Sequence, residues 1–147
     1  MKDKTIDYIL RTTWLSVQKM YNEEAAKFES TMATGFTLLS IDPEKGTPST
    51  ALGPKMGMEA TSLSRILKTM EERGLIERKP NPDDGRGVII SLTEFGRGKR
   101  DLSRERVLTF NEAIRKNVTE EQLNHFYDVA EVINDMISNK KIYNQND

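Results

Sequence analysis

The sequence predicts a mostly α-helical fold with a small β-hairpin, because helical periodicity fills most of the 147 residues and gives way to strands only once. Long amphipathic segments occupy both ends of the chain. Between them, a short helix and an amphipathic helix are followed by two short apolar runs that flank a cluster of turn formers. This order is typical of a winged helix-turn-helix set between long helical arms.

The two ends of the chain are expected to form dimerisation arms. Apolar residues recur at helical spacing from Ile6 to about Phe28. Thr119 and Gln122 form a capping box for the last helix, which also carries an apolar stripe. The short central elements cannot cover both stripes, so a second copy of the chain is expected to do so. Residues 1–30 are the predicted N-terminal arm, residues 94–140 complete the dimerisation region, and residues 141–147 form a frayed tail.

Residues 31–93 are predicted to form the winged helix-turn-helix domain. Thr31 or Ser30 is expected to cap its first helix. A proline-rich turn at residues 42–48 precedes a short helix, which Gly57 is expected to stop. The next helix, at about residues 59–73, is the predicted recognition helix, and the strands of the wing occupy about residues 76–92.

The recognition helix has two distinct faces. Leu63, Ile66, Leu67 and Met70 fall at the spacing of a packed stripe. Small hydroxyls and cations occupy the opposite face, and such side chains can reach base edges and phosphates. The pattern also fits the solvated face of an ordinary amphipathic helix. The candidate DNA-binding residues of this helix are Thr61, Ser62, Ser64, Arg65, Lys68 and Thr69.

The wing is predicted from two strand-like runs, at residues 76–79 and 88–92. Residues 80–87 between them are rich in turn formers and are expected to form a long polar loop. An extended tip that carries arginine can enter the minor groove, where the negative potential of DNA is concentrated. A flexible surface loop is the alternative. The basic residues around the tip are Arg78, Lys79 and Arg86.

Composition excludes several classes of protein. The chain has no cysteine and one histidine, which removes disulfides, thiolate metal sites and cysteine-based redox sensing. No glycine-rich phosphate loop follows a strand and no paired catalytic carboxylates are recognisable, so we expect neither an enzyme nor a metal or other cofactor. No apolar run approaches the roughly 18 residues of a membrane span. We therefore expect a cytoplasmic protein with no membrane partner.

Charge is unevenly distributed along the chain. The formal net charge is −1, but residues 55–100 contain ten Lys/Arg against seven Asp/Glu. The remaining residues contain twelve Lys/Arg against sixteen Asp/Glu. The basic part therefore coincides with the predicted recognition helix and wing, where a nucleic-acid-binding protein needs it.

Two stretches resemble the MarR family of bacterial winged helix-turn-helix regulators. Residues 63–78 resemble its recognition helix and first wing strand, and residues 81–86 followed by 90–97 resemble its wing signature. The resemblance implies a homodimeric repressor whose wings flank a pseudo-palindromic operator in double-stranded DNA. It implies DNA contact by Arg86 at the wing tip, with Asp84 holding the guanidinium. Gly85 and Val88 depart from the family pattern, as the position of Gly85 often carries another arginine.

The resemblance also implies an effector site, because many members of this family are released from DNA by small phenolic or lipophilic molecules. Such molecules bind where the arms meet the DNA-binding domain. Ordinary core packing would give the same pattern of aromatic and methionine residues. The candidate residues for a small aromatic or lipophilic ligand are Trp14, Met20, Tyr21, Met32, Phe36 and Phe110.

A second function fits the same sequence. A winged-helix dimer could act mainly through protein–protein interaction, with weak or no DNA binding, since the wing carries one cation fewer than usual and the total charge is slightly negative. Salt-dependent DNA binding separates the two functions, because phosphate contacts make affinity fall steeply with ionic strength.

Overall fold

The computed structural model describes residues 4–143, apart from the side chains of residues 84–86. It confirms the predicted fold class, a mostly helical chain with a small antiparallel sheet. Residues 144–147 of the predicted frayed tail lie outside the described part. The helices are α1 (Ile6–Ala26), α2 (Met32–Ser40), α3 (Ser49–Met56), α4 (Ala60–Glu72), α5 (Glu94–Arg115) and α6 (Glu120–Ser138). The strands are β1 (Thr47–Pro48), β2 (Ile76–Asn81) and β3 (Asp84–Leu92).

The predicted helix caps are present. The hydroxyl of Thr31 accepts a hydrogen bond from the N–H of Thr34 at 3.2 Å, so Thr31 rather than Ser30 caps α2. At α6, Thr119 and Gln122 exchange the two reciprocal bonds of a capping box, at 3.0 and 2.8 Å. These local signals fix the starts of the helices because they satisfy N–H groups that no intrahelical carbonyl can reach.

Two compact units divide the chain, one ending at Arg106 and the other beginning at Val107. The buried apolar core belongs to the first unit. It is built where α2, α3, α4 and the sheet pack together, and each fully buried side chain contributes roughly 1.5–3 kcal/mol. Its members are Leu38, Ile41, Leu52, Leu63, Leu67, Met70, Leu75, Ile76, Ile90 and Leu92.

The sheet has three strands in the order β1-β3-β2, one more than the sequence predicted. Thr47 pairs with Ile90 and Pro48 with Ile89, in a segment that the sequence analysis assigned wholly to a turn. The first part of this segment does form the predicted turn, in which the carboxylate of Asp42 accepts hydrogen bonds from the N–H groups of Glu44 and Lys45. A two-residue strand that includes proline is too short to show an alternation of apolar and polar residues. It forms only by pairing with β3, which is distant in the chain, so the sequence does not reveal it.

The predicted long loop at residues 80–87 is wrong. The strands continue to Asn81 and resume at Asp84, which leaves only Pro82 and Asp83 as the turn. The side-chain oxygen of Asn81 accepts a hydrogen bond from the N–H of Asp83 at 3.0 Å, and proline favours the second position of such a turn. Pairing shifts between Pro80 and Asn81, so residues 85–87 lie in a bulge of β3.

Within the part of the chain that the structure describes, none of the helices combines the length and the apolar character needed to cross a lipid bilayer.

Candidate nucleic-acid interface

A close turn joins α3 to α4 and forms the helix-turn-helix. The N–H of Met58 donates to the carbonyl of Gly53 at 2.9 Å, and Gly57 adopts the left-handed conformation expected of it, with φ +63°. A Cβ on Gly53 would lie 3.1 Å from the carbonyl oxygen of Met58. Glycine therefore lets the turn fold back on α3, which Pro54 does not interrupt before Met56.

Helix α4 presents a polar face to solvent. Leu63, Leu67 and Met70 are buried on its inner side, and Ile66 is half-buried at the margin. The structure brings all six predicted recognition-helix side chains onto one exposed surface, which we call the recognition face. Its members are Thr61, Ser62, Ser64, Arg65, Lys68 and Thr69.

The two ends of α4 differ in how they are held. Glu59 is the N-cap, but its side chain makes no capping bond to the first N–H groups of the helix. At the other end, Gly74 takes the left-handed conformation with φ +74°. The hydroxyl of Thr93 donates to the carbonyl of Gly74 at 2.6 Å and accepts from the N–H of Gly96 at 3.0 Å. The last turn of α4 is therefore fixed to the start of α5.

Arg73 provides a second attachment for the same end of α4. Its Nη2 donates to the carbonyl oxygen of Glu29, 44 residues earlier in the chain, at 2.6 Å. Glu29 lies in the short connection from α1 to α2 and has a positive φ of 57°. Sequence reasoning missed this pair, because no local pattern connects an arginine at the end of one helix to a carbonyl near another.

The basic wing residues are placed differently from one another. Arg78 lies with its Nε 3.4 Å from Oε2 of Glu71, so it connects the wing to α4. Lys79 lies 3.9 Å from Glu77 through its Nζ and stays 61% exposed. Both cations face a carboxylate, but the side chain of Arg78 is 37% exposed and its ion pair is the shorter, so Lys79 is the more accessible of the two to phosphate.

Asp84 and Arg86 lie outside the described side chains, and their predicted part in DNA binding stays a prediction. Their backbone belongs to β3, in the stretch next to the turn.

The candidate effector residues are only partly brought together. Tyr21 and Phe36 contact each other edge to face, with ring centroids 5.6 Å apart, and burial raises the pKa of Tyr21. Met32 starts α2, where its N–H donates to the side chain of Asn22 at 3.0 Å. Trp14, on α1, is 47% exposed. Met20 is half-buried on α1, and Phe110 belongs to the unit that begins at Val107.

Comparison with known proteins gives one consistent result. Residues 31–88 match the model of the MarR family. The organic hydroperoxide resistance transcriptional regulator of Bacillus subtilis is 30% identical over 89 residues, which are 60% of this chain and 60% of that protein. This regulator and two further curated relatives are each matched over only 54% to 60% of their own length.

Solved structures extend the likeness in fold to most of the chain. The MepR protein of Staphylococcus aureus in complex with DNA superposes with a TM-score of 0.81 at 18% identity, over 90% of this chain and 99% of that one. CouR from Rhodococcus jostii bound to p-coumaroyl-CoA gives 0.78 at 22% identity, over 88% and 92%.

Proposed function

We propose that this chain, whose residues 31–88 match the MarR family model, is a cytoplasmic homodimeric repressor of that family that binds a pseudo-palindromic operator in double-stranded DNA. The recognition face of α4 carries this proposal. A buried apolar side fixes the helix to the core, and the opposite side offers hydroxyls and two cations with no apolar residue among them. Side chains of these types suit contacts to base edges and phosphates in the major groove.

The dimer is supported by the apolar faces of the arms. In α1, Ile6, Leu10 and Leu15 are 66%, 46% and 56% exposed. In α6, Phe126 and Ile137 are 62% and 58% exposed. Large apolar side chains left exposed along each arm are typical of an interaction site. A two-fold partner that covers it would place two recognition helices about one DNA turn apart.

The first experiment is a titration of the protein against the DNA upstream of its own gene at about 50 mM and about 200 mM salt. We expect tight binding that survives excess random DNA and weakens steeply as salt rises. A folded dimer that binds no DNA at low salt, even after selection from random sequences, would favour the alternative function, a dimer acting through protein–protein contacts.

Two substitutions assign the contacts. Arg86→Ala should weaken binding by about tenfold or more if the wing tip contacts DNA. Arg65→Ala should cost roughly 1–3 kcal/mol and relax the sequence preference if the side chain pairs with a base. Lys116→Ala, which removes an exposed cation beyond α5, is the control for lost charge. Equal losses on operator and random DNA would limit Arg65 to phosphate contact.

We further propose release from DNA by a small aromatic or lipophilic molecule. The similarity in fold to a protein bound to p-coumaroyl-CoA and the contact between Tyr21 and Phe36 support this. A thermal-shift screen with aromatic acids and their thioesters tests it. A ligand that raises the melting temperature and lowers DNA affinity is the expected result. Thiol oxidation cannot serve as the release signal within these residues, because they contain no cysteine.

A further inference from the structure

Besides the core packing of Leu63, Leu67 and Met70, side-chain attachments hold the recognition helix at its C-terminal end. Three attachments meet there: Arg73 to the carbonyl of Glu29, Arg78 to Glu71, and Thr93 to the carbonyl of Gly74. The N-terminal end has no side-chain cap. The last two attachments join α4 to the wing and to α5, which follow it in the chain. Only the first connects it directly to the end of the N-terminal arm.

The carbonyl that receives Arg73 is held in a defined direction. The N–H of Glu29 donates to Ala26 at 3.1 Å, and the N–H of Ser30 donates to Ala25 at 3.0 Å. These bonds close the last turn of α1 around a residue with positive φ, an uncommon conformation for a side chain other than glycine or asparagine. The direction of the Glu29 carbonyl therefore follows from the geometry of the α1 terminus.

The same connection, residues 27–30, is packed from another side. The guanidinium of Arg106 lies over the ring of Phe28, 5.5 Å from its centroid, and its Nη1 is 3.8 Å from Glu24. Thr31 then caps α2 directly after the connection. Contacts from α5 and the cap of α2 thus fix the connection, so it can serve as a reference point for α4.

We propose that Arg73 is a positioning residue: its bond to the Glu29 carbonyl sets the tilt of α4 relative to α1, and so the half-site spacing that the protein accepts. This rests on the proposed function, in which α1 belongs to the dimer interface and α4 reads DNA. Helix α4 has 13 residues. Its length is thus about 20 Å, and a tilt of about 10° at one end moves the other by about 3.4 Å, the rise of one base pair.

The test uses the sequence that the wild-type protein selects from random DNA, with one base pair added or removed between its half-sites. Wild type should prefer the selected spacing clearly. Arg73→Gln, which keeps a polar side chain but loses the charged donor, should bind the selected DNA about tenfold more weakly and discriminate less between the three spacings. An equal loss on all three, or no loss, would overturn the proposal.

Two matched variants separate the hydrogen bond from its surroundings. Lys27→Gln removes a cation from the same connection, where Lys27 pairs with Glu24 at 2.7 Å, but leaves the Glu29 carbonyl in place. Glu29→Asn keeps the carbonyl and tolerates the positive φ. Both should retain the wild-type preference for spacing. If either reproduced the effect of Arg73→Gln, surface charge or the Glu29 carboxylate would be responsible and the proposal would fail.

A distance measurement tests the same point without DNA. The chain has no cysteine, so Glu23→Cys and Thr61→Cys introduce two unique sites for spin labels, one on α1 and one on α4. Labelled chain diluted with excess unlabelled chain reports only the intrachain distance. Arg73→Gln should shift or broaden the distribution, and an unchanged distribution would overturn the proposal. Wild-type protein that selects no DNA would contradict the proposed function alone, because the label distances would still test the role of Arg73.

Discussion

At the level of single residues, two glycines of α5 differ in whether the fold has room for a side chain. A Cβ on Gly96 would overlap the carbonyl oxygen of Leu75, whereas a Cβ on Gly98 would meet nothing within 4 Å. Gly96→Ala should therefore destabilise the protein by about 1–3 kcal/mol through overpacking. Gly98→Ala should stabilise it by roughly 0.5–1 kcal/mol, because alanine favours a helix. Urea unfolding measures both, and equal effects would contradict the packing described for Leu75.

A second single-residue effect concerns acid stability. Hydrogen bonds from the backbone N–H groups of Lys45 and Glu44 hold the pKa of Asp42 below its ordinary value. A lowered folded-state pKa stabilises the protein above the unfolded value, about 3.9, and this contribution is lost as the pH falls through the folded value. Asp42→Asn keeps the oxygen acceptor without the charge. Its melting temperature should be below that of wild type at pH 7, and the difference should close in strong acid. A difference in melting temperature that stayed constant from pH 7 to strong acid would exclude this contribution.

At the scale of elements, one threonine connects three of them. The hydroxyl of Thr93 joins the turn after α4 to the first turn of α5, at the end of β3. Thr93→Val keeps the shape but removes both bonds, and should cost about 1–2 kcal/mol of stability. Thr93→Ser keeps the hydroxyl and should retain most of the stability. Thermal unfolding compares the two, and an equal loss in both variants would contradict a dominant role of the hydroxyl.

The elements also differ in how well the sequence predicted them. Helix α4 was predicted to within one residue at each end, because its apolar spacing and Gly74 act locally. The hairpin of the wing was predicted correctly, but its strands are longer and its turn shorter than predicted. Composition alone does not reveal that Asn81 closes a two-residue turn. Strand β1 was missed, because Thr47 and Pro48 become a strand only through pairing with β3.

At the scale of the whole molecule, the exposed apolar faces of the arms predict the assembly state. Phe126→Glu places a charge within the apolar face of α6, where the side chain is 62% exposed. We expect it to shift the proposed dimer towards monomer, because burying an unpaired carboxylate is costly. Asn124→Glu adds the same charge on the opposite side of the helix and should leave the dimer intact. Sedimentation at several concentrations measures both, and an unaffected dimer with Phe126→Glu would locate the interface elsewhere.

Local sequence patterns predicted the helices, the two wing strands, their order and the recognition face, because helix caps, turn glycines and apolar periodicity all act over a few residues. The sequence also matches the MarR family model over residues 31–88. Two contacts became apparent only in the folded chain: the ion pair of Arg78 with Glu71 and the hydrogen bond from Arg73 to the carbonyl of Glu29. The physical reason is distance along the chain: a contact across 44 residues depends on how the core packs, and no local pattern encodes it.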